Sequence, residues 1–366
     1  MKVKKIYDVT FVYAGSRKEK LKTIDKSASD FFYGFLELKK NDINTTFIEI
    51  PDKKTGVIDK LIIRATRLPI YFFKAINIKN FRTLINSKNI VFINESAYLS
   101  HVLIIAFIKL FKKCTILFFP MGLGEKYLNS GFFSKKIIKS SIKISNRVIF
   151  IGKGELNLFS NLIKNFSHKY EYLPFSVDTK FWKSIGKKTQ NIENILFIGN
   201  DINRDFEFMN LFSSSNKQYN FYFVTSNDLL LNTESVNVKK IKGDWRKQVI
   251  SDENILNLYL DSDLVVLPIK ETTQPSGQSV ALQAMSTGTP VMITKTEGFW
   301  DPNLFIDSKN IFFVYENTLE AWQKKIYELN ENPELIYEVG KNGKDLIREK
   351  HNIDDFSRKL LEKLNL

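Results

Sequence analysis

The sequence predicts an α/β protein made of two doubly wound, Rossmann-like domains in tandem. Short runs that are apolar throughout alternate with longer amphipathic stretches, the pattern of parallel strands covered by helices on both faces. The alternation halts near residue 175, crosses a polar connection and restarts at residue 195. At 366 residues the chain is too long for one small core, and 43% hydrophobic residues can fill two. The expected domains are 1–175 and 176–350, with a terminal helical segment, 351–366, packing back on the first domain.

In the first half, 9–13 reads as a strand that turns at Ala14-Gly15-Ser16. A helix follows on Phe31, Phe32, Phe35, Leu36 and Leu38, then a strand at 46–51. Residues 57–81 have helical periodicity, which Pro69 must break or kink. Strands are expected at 90–93, 115–119, 147–151 and 170–173, with helices at 98–111, 132–145 and 155–165 between them. Residues 174–194 are polar and read as the interdomain connection. Beyond them, strands at 195–198, 221–224, 238–241, 264–268, 290–294 and 311–315 alternate with helices at 206–212, 255–260 and 276–285. Three helical patterns, 319–329, 334–349 and 353–364, complete the chain. The carboxyl ends of the strands of two such domains are expected to face across a cleft, where α/β ligands bind.

Composition narrows the chemistry. The single cysteine, Cys114, excludes an intrachain disulfide and reads as a small buried side chain. Three scattered histidines offer no metal-ligand spacing. The most apolar stretch, 101–111, is broken by Lys109 and falls well short of the ~18 residues a membrane-spanning helix needs. A cytoplasmic protein, soluble or peripheral on the inner face of the membrane, is expected. Charge is uneven: residues 1–175 hold 31 Lys+Arg against 13 Asp+Glu, a balance of +18, while 176–366 balance at −4. A basic half points to an anionic partner: nucleic acid, membrane surface or substrate. No zinc knuckle, nucleic-acid motif or interleaving of aromatic and basic residues supports nucleic acid.

The stretch 270–301 carries the chemistry. A buried strand ends at Pro268, a polar loop follows, and Ser276-Gly277-Gln278-Ser279 opens an apolar helix that closes at Gly288. A small-residue loop at a helix start presents unpaired N–H groups and the positive end of the helix dipole to an anion. Gly277, without a Cβ, lets the N–H groups of Gln278, Ser279 and Val280 approach a phosphate.

GQSVALQAMSTGTPV behind a strand ending in Leu267-Pro268 resembles the C-terminal signature of GT-B glycosyltransferases of family 4, a large retaining group. Phe197-Ile198-Gly199-Asn200-Asp201 is similar to the strand-plus-glycine opening of that family's nucleotide domain. LPFSVDTKF (173–181) is similar to the segment before it, and Ile241-Lys242-Gly243 to the turn beside the base. The resemblance covers roughly 170–350. It implies a GT-B fold, a nucleotide-sugar co-substrate, no metal or other cofactor, and a glycan or lipid-linked acceptor, as in surface polysaccharide, lipopolysaccharide or glycolipid synthesis. Gly199, Asn200, Gly243, Ser276, Gly277, Gln278, Ser279, Val280 and Gln283 are then the expected donor-binding residues.

The family's diphosphate-holding cations are altered here, leaving Arg204 as the nearby cation that would stabilise the leaving group. Its alternative is a helix-start arginine paired with Asp205 or Glu207. Gln283 stands where the family has a second acidic residue and would hold ribose hydroxyls through its amide. Pro275 replaces the first acidic residue, so Glu271 is the candidate carboxylate beside the transferred sugar; otherwise it is a solvated loop residue. In the first half, Gly15 would approach the donor phosphates or form an ordinary turn. Pro120 stands where the family often has a histidine, and Glu95, Gly122, Gly124 and Glu125 are the acceptor-side candidates. Residues 132–147 form a basic amphipathic pattern, with Phe133, Ile137, Ile138, Ile142 and Ile144 on one side and Lys135, Lys136, Lys139 and Lys143 on the other. They would lie on an anionic membrane or pack as an ordinary domain helix. A GT-B protein that binds without transferring, or that epimerises a sugar nucleotide, is the second function class the altered acidic positions leave open.

Overall fold

The computed structural model describes residues 6–51, 54–183, 191–227, 235–244 and 249–366. Of the polar connection expected at 174–194, residues 184–190 lie outside these. The chain forms two units, Met1–Lys22 with Phe32–Pro174 and Phe356–Leu366, and Thr23–Phe31 with Phe175–Asp355.

The first unit is a six-stranded parallel sheet in the order β2-β1-β3-β4-β5-β6. Its strands are β1 Tyr7–Tyr13, β2 Thr45–Glu49, β3 Ser87–Ile93, β4 Thr115–Phe119, β5 Arg147–Phe150 and β6 Tyr170–Tyr172. The central strands are apolar throughout because helices cover both faces; Ile90, Phe92, Ile116 and Phe118 are fully buried. The second unit repeats the plan with β7 Asn194–Ile198, β8 Asn220–Thr225, β9 Val238–Lys242, β10 Leu264–Leu267, β11 Val291–Thr294 and β12 Phe312–Val314. Its order is β12-β11-β10-β7-β8-β9, again parallel. Side-chain caps start the helices where the sequence allows: Asp205, Ser251, Thr318 and Asn332 each accept from an N–H three residues on.

The structure departs from expectation in four places. The helix expected on Phe31–Leu38 divides into a 3-10 turn, Asp30–Phe32, and a helix, Phe35–Lys40. Gly34 between them has φ +86° and packs so closely on Ser357 that a Cβ would lie 3.3 Å from its Cβ. The long helical pattern at 57–81 becomes three helices, Val57–Thr66, Phe72–Ala75 and Ile78–Ile85, with Pro69 in the first break. Residues 23–31, expected within the first domain, belong to the second unit. Asp30 accepts there from Trp182 Nε1 (2.7 Å) and the Asp178 N–H (2.5 Å), and Ala28 donates to Asp252 (2.8 Å). Last, the isoleucine side of Phe132–Ile144 faces the first unit's core, with Ile138 and Ile142 fully buried and Lys136, Lys139 and Lys143 exposed. The isoleucines are therefore covered by that core, while Phe132 and Phe133 at the helix start are 85% and 65% exposed.

Residues 356–366 join the first unit through Phe356 against Phe119 and Tyr33, and through an ion pair of Lys363 with Glu171. Cys114 is buried, and burial raises its thiol pKa. No helix among the described residues is long and apolar enough to cross a membrane.

In the second unit, Pro333–Lys350 packs on Gln278–Ser286 through glycines. A Cβ on Gly340 would lie 2.5 Å from the Gly288 carbonyl oxygen, and one on Gly343 2.9 Å from that of Asn310. In an open helix Gly→Ala stabilises by about 1 kcal/mol. Here we predict that Gly340→Ala destabilises by roughly 1–3 kcal/mol through overpacking. Urea denaturation measures this, and an unchanged or higher midpoint would show that the 288–290 turn yields freely.

Candidate active site

In the second unit β7 and β10 are neighbours, and the strands that follow each run outward in opposite directions. This is the switch point at which loops leaving adjacent parallel strands diverge and leave room for a ligand. The loops after β7 and β10 are joined by hydrogen bonds. Asp205 N donates to Pro268 O (3.0 Å), Lys270 N to Asn203 O (2.8 Å) and Asn203 Nδ2 to Ser276 Oγ (2.7 Å).

Arg204 lies within this seam. Its side chain is 3% exposed, and Nε donates to Ile198 O at 3.2 Å. Its Nη1 is 3.2 Å from Asp201 Oδ2 but makes no well-aligned hydrogen bond. The residues that sequence offered as alternative partners are otherwise engaged or elsewhere: Asp205 caps its helix at Phe208 N (3.1 Å) and accepts from Asn317 (3.0 Å). Gly199 makes the arrangement possible, since a Cβ there would lie 2.4 Å from Arg204 Nε. At Gly277, which has φ +84° and caps Gln278–Ser286, a Cβ would lie 3.5 Å from Nη1. The guanidinium thus abuts the helix start.

A buried cation beside the positive end of a helix is unfavourable unless an anion joins them. Asp201 is 45% exposed and is the salt-bridge partner of Arg204 among the described residues. Burial pulls the guanidinium below its usual range and Asp201 opposes this, but an arginine remains charged. The first N–H groups of a helix have no acceptor within it. Gln278 N reaches Pro275 O at 3.4 Å and the regular ladder begins with Ala281 N to Gly277 O (2.9 Å), so Ser279 and Val280 hold the open donors.

Other expected donor residues support these loops. Asn200 ties three strand ends together, donating to Gly243 O (2.7 Å) and accepting from Thr225 Oγ1 (2.9 Å) and Ser226 N (2.6 Å). Gly243 is itself close-packed, with room for no Cβ against Val224. Glu271 is exposed, and its Oε1 accepts from Thr272 N (3.2 Å) and Glu297 N (3.0 Å), which ties the β10 loop to the β11 loop. Gly298, which sequence reasoning passed over, lets those loops meet; a Cβ there would lie 2.3 Å from Gln274 O.

Gln283 corrects an expectation. It is 5% exposed, its Oε1 accepts from Tyr259 Oη (3.1 Å) and its Nε2 donates to Asp30 Oδ2 (2.8 Å). The amide holds the 23–31 segment in place and is not presented to ribose hydroxyls. Asp30, 0% exposed, was missed; its signal in sequence was an acid set directly before Phe31-Phe32.

The first-unit candidates form a separate cluster at the ends of β3, β4 and β5. Glu95 accepts from Met121 N (3.1 Å) and pairs with Lys126. The N–H groups of Gly122 and Gly124 point to Glu155 Oε1 at 2.8 and 3.4 Å, so they are occupied within the protein. Glu155, another residue missed, is 1% exposed with Oε2 unpartnered, and burial, then Glu95, lifts its carboxyl to about 7. Glu125 is half-buried on the short helix Leu123–Leu128. After Gly15, Glu49 accepts from Arg17 N (2.6 Å) and Lys18 N (3.2 Å) at the following helix start.

Residues 247–346, which contain the 268–277 loop and its helix, match the family model described as Glycosyl transferases group 1. No curated protein matches the chain. Among solved structures, it is similar to sucrose-phosphate synthase from Thermosynechococcus elongatus (TM-score 0.72, 14% identity, 98% of each chain covered). It is also similar to the HepE protein of Anabaena in complex with UDP and glucose (TM-score 0.67, 13% identity, covering 98% of this chain and 99% of that one). A third likeness is to the catalytic domain of starch synthase IV from Arabidopsis thaliana bound to ADP and acarbose (TM-score 0.63, 11% identity, 99% of each chain covered). The fold is therefore GT-B. Its second unit carries the glycosyl transferases group 1 region, with Arg204 and Gly277 where that unit's sheet reverses order.

Two predictions follow from the buried carboxyls. Gln283→Glu sets a second carboxylate against Asp30, 2.8 Å from the present Nε2. It should cost about 2 kcal/mol or more at neutral pH, less at pH 5 as the pair takes up a proton; equal denaturation midpoints would refute this. Glu155 has a folded pKa raised from 4.5 to about 7. Its contribution is therefore fully present below pH 4.5 and is lost as pH rises through about 7. Glu155→Gln should remove that slope and raise stability at pH 8 by up to about 3 kcal/mol. Urea melts across pH check it, and an unchanged slope would show that another group titrates.

Proposed function

We propose that the protein is a retaining glycosyltransferase. It takes a sugar from a nucleoside diphosphate and gives it to a glycan or lipid-linked acceptor in surface polysaccharide or glycolipid synthesis, in the cytoplasm or at the inner face of the membrane. The observation that carries this reading is the buried Arg204 guanidinium against the Gly277 helix start. Two positive elements converge there with one partly exposed carboxylate, Asp201, 3.2 Å from the guanidinium, and a diphosphate leaving group has the charge to complete the set.

In this reading the N–H groups of Ser279 and Val280 hold one phosphate while Arg204 meets the charge that develops as the glycosidic bond breaks. Both are fixed before substrate arrives, so no reorganisation is needed at the transition state. The same cation and dipole would stabilise the leaving group without a divalent ion, and we expect transfer to withstand chelation. Glu271, anchored through Oε1, acts by holding the 270–276 loop over the donor. The similar structures described with UDP and glucose, or with ADP and acarbose, support a nucleoside diphosphate as the ligand class. A second reading, donor binding without transfer, draws on Pro275 at one acidic position of the family and on the internally bonded Gln283 at the other.

Calorimetric titration with UDP, GDP and ADP tests binding, and mass spectrometry of acceptor mixtures with EDTA present tests transfer. Arg204→Ala should cut transfer by ~10²-fold or more, with Arg204→Lys intermediate. Absence of binding to any nucleoside diphosphate would refute the proposal. Binding with hydrolysis or epimerisation alone would favour the second reading.

A further inference from the structure

The first unit exposes apolar side chains that its own core does not use. On the helix Glu95–Phe111, Leu103, Phe107, Leu110 and Phe111 are 65%, 49%, 77% and 72% exposed. Their spacing of 0, 4, 7 and 8 residues places them on one stripe of the helix. Neighbouring helices continue the surface. Phe73 and Ile78 are 58% and 73% exposed, and on Val57–Thr66 the side chains of Val57, Ile58 and Leu61 are 75%, 54% and 58% exposed. These helices are packed together: Asp59 caps Phe73 N and Lys74 N (both 3.0 Å), and Tyr71 N donates to Ser100 Oγ (2.8 Å). Between Ile78–Ile85 and the Glu95–Phe111 stripe runs an apolar groove of about 770 Å³, lined by Phe72, Ile78, Phe81, Leu103 and Phe107, with Arg82 at its edge.

The surroundings of this patch are basic. Residues 54–113 contain 11 Lys+Arg and two acids, Asp59 and Glu95, both buried. Lys60, Arg64, Lys79, Arg82 and Lys113 are exposed. A contiguous apolar surface of this kind marks a docking site. Isologous pairing with a second copy would set like charges against each other around the contact. An anionic lipid surface instead offers hydrocarbon to the apolar stripe and phosphate to the rim.

We propose that this face of the first unit docks on an anionic phospholipid bilayer. Leu103, Phe107, Leu110 and Phe111 enter the headgroup–acyl boundary, the groove receives an acyl chain, and Lys79 and Arg82 meet lipid phosphates with their stems along the apolar surface. The inference replaces the isoleucine side of Phe132–Ile144, which the core covers, and does not depend on the transferase reading.

Flotation of the full chain with vesicles of phosphatidylcholine, alone or mixed with phosphatidylglycerol, tests it. Binding to the mixed vesicles is expected, weakening at high salt. Leu110→Glu with Phe111→Glu should lower partitioning by about tenfold or more, with the melting temperature and nucleotide affinity unchanged. Lys79→Glu with Arg82→Glu should lower binding to the mixed vesicles alone. Failure to bind anionic vesicles, or partitioning unaffected by the Leu110/Phe111 pair, would overturn the proposal. So would a dimer in light scattering that this pair dissociates.

Discussion

A guanidinium buried against a helix start is the constraint on which the second unit's site depends. Arg204 can occupy that position because Gly199 leaves its Nε room and Ile198 O accepts from it at 3.2 Å. Gly277 turns the chain through a left-handed conformation so that the helix begins beside the charge. The negative charge the structure itself sets beside the guanidinium is Asp201, 3.2 Å from Nη1. Without a negative charge the dipole and the cation would repel in a medium of low polarisability, where such terms are least screened. Asn200, Gly298 and the Asn203–Ser276 hydrogen bond keep the loops at the spacing this requires.

The same unit shows why one acidic position is occupied by an amide. Asp30 is fully buried and takes hydrogen bonds from Trp182, Gln283 and the Asp178 backbone. A carboxylate at 283 would face it unshielded, so recruiting the 23–31 segment into the second unit and keeping an acid on the helix are incompatible. Gln283 follows from Asp30, a physical relation between residues 253 positions apart.

Much of the fold was legible in the sequence because burial on both sheet faces leaves uninterrupted apolar runs. All twelve described strands lie within a few residues of the expected ones, although edge strands such as Val238–Lys242, VKKIK, are not apolar throughout. The placing of Gly199, Arg204 and Gly277 at one switch point was legible for a similar reason: local turns that glycine and strand ends announce constrain them. The partners of Gln283, Gly122 and Gly124 were not legible, because Asp30 and Glu155 come from distant segments. Local pattern reveals that an N–H or amide is available, whereas only tertiary structure reveals that another residue already holds it. The helix pattern at 31–38 failed likewise, since Gly34 is dictated by close packing on Ser357.

The division of charge now has a physical sense. Residues 176–366 balance at −4 while 1–175 balance at +18, although the proposed diphosphate site lies in the second unit. One cation buried at a helix start acts at short range, where solvent and salt hardly weaken it. Exposed lysines and arginines act through water, and beyond about 8–10 Å ions screen them at physiological salt. A surface meant to hold a diffuse anionic layer therefore needs many such charges, and a site meant to hold one diphosphate needs few. In the two proposals, the +18 of the first half serves the former and the buried Arg204 the latter.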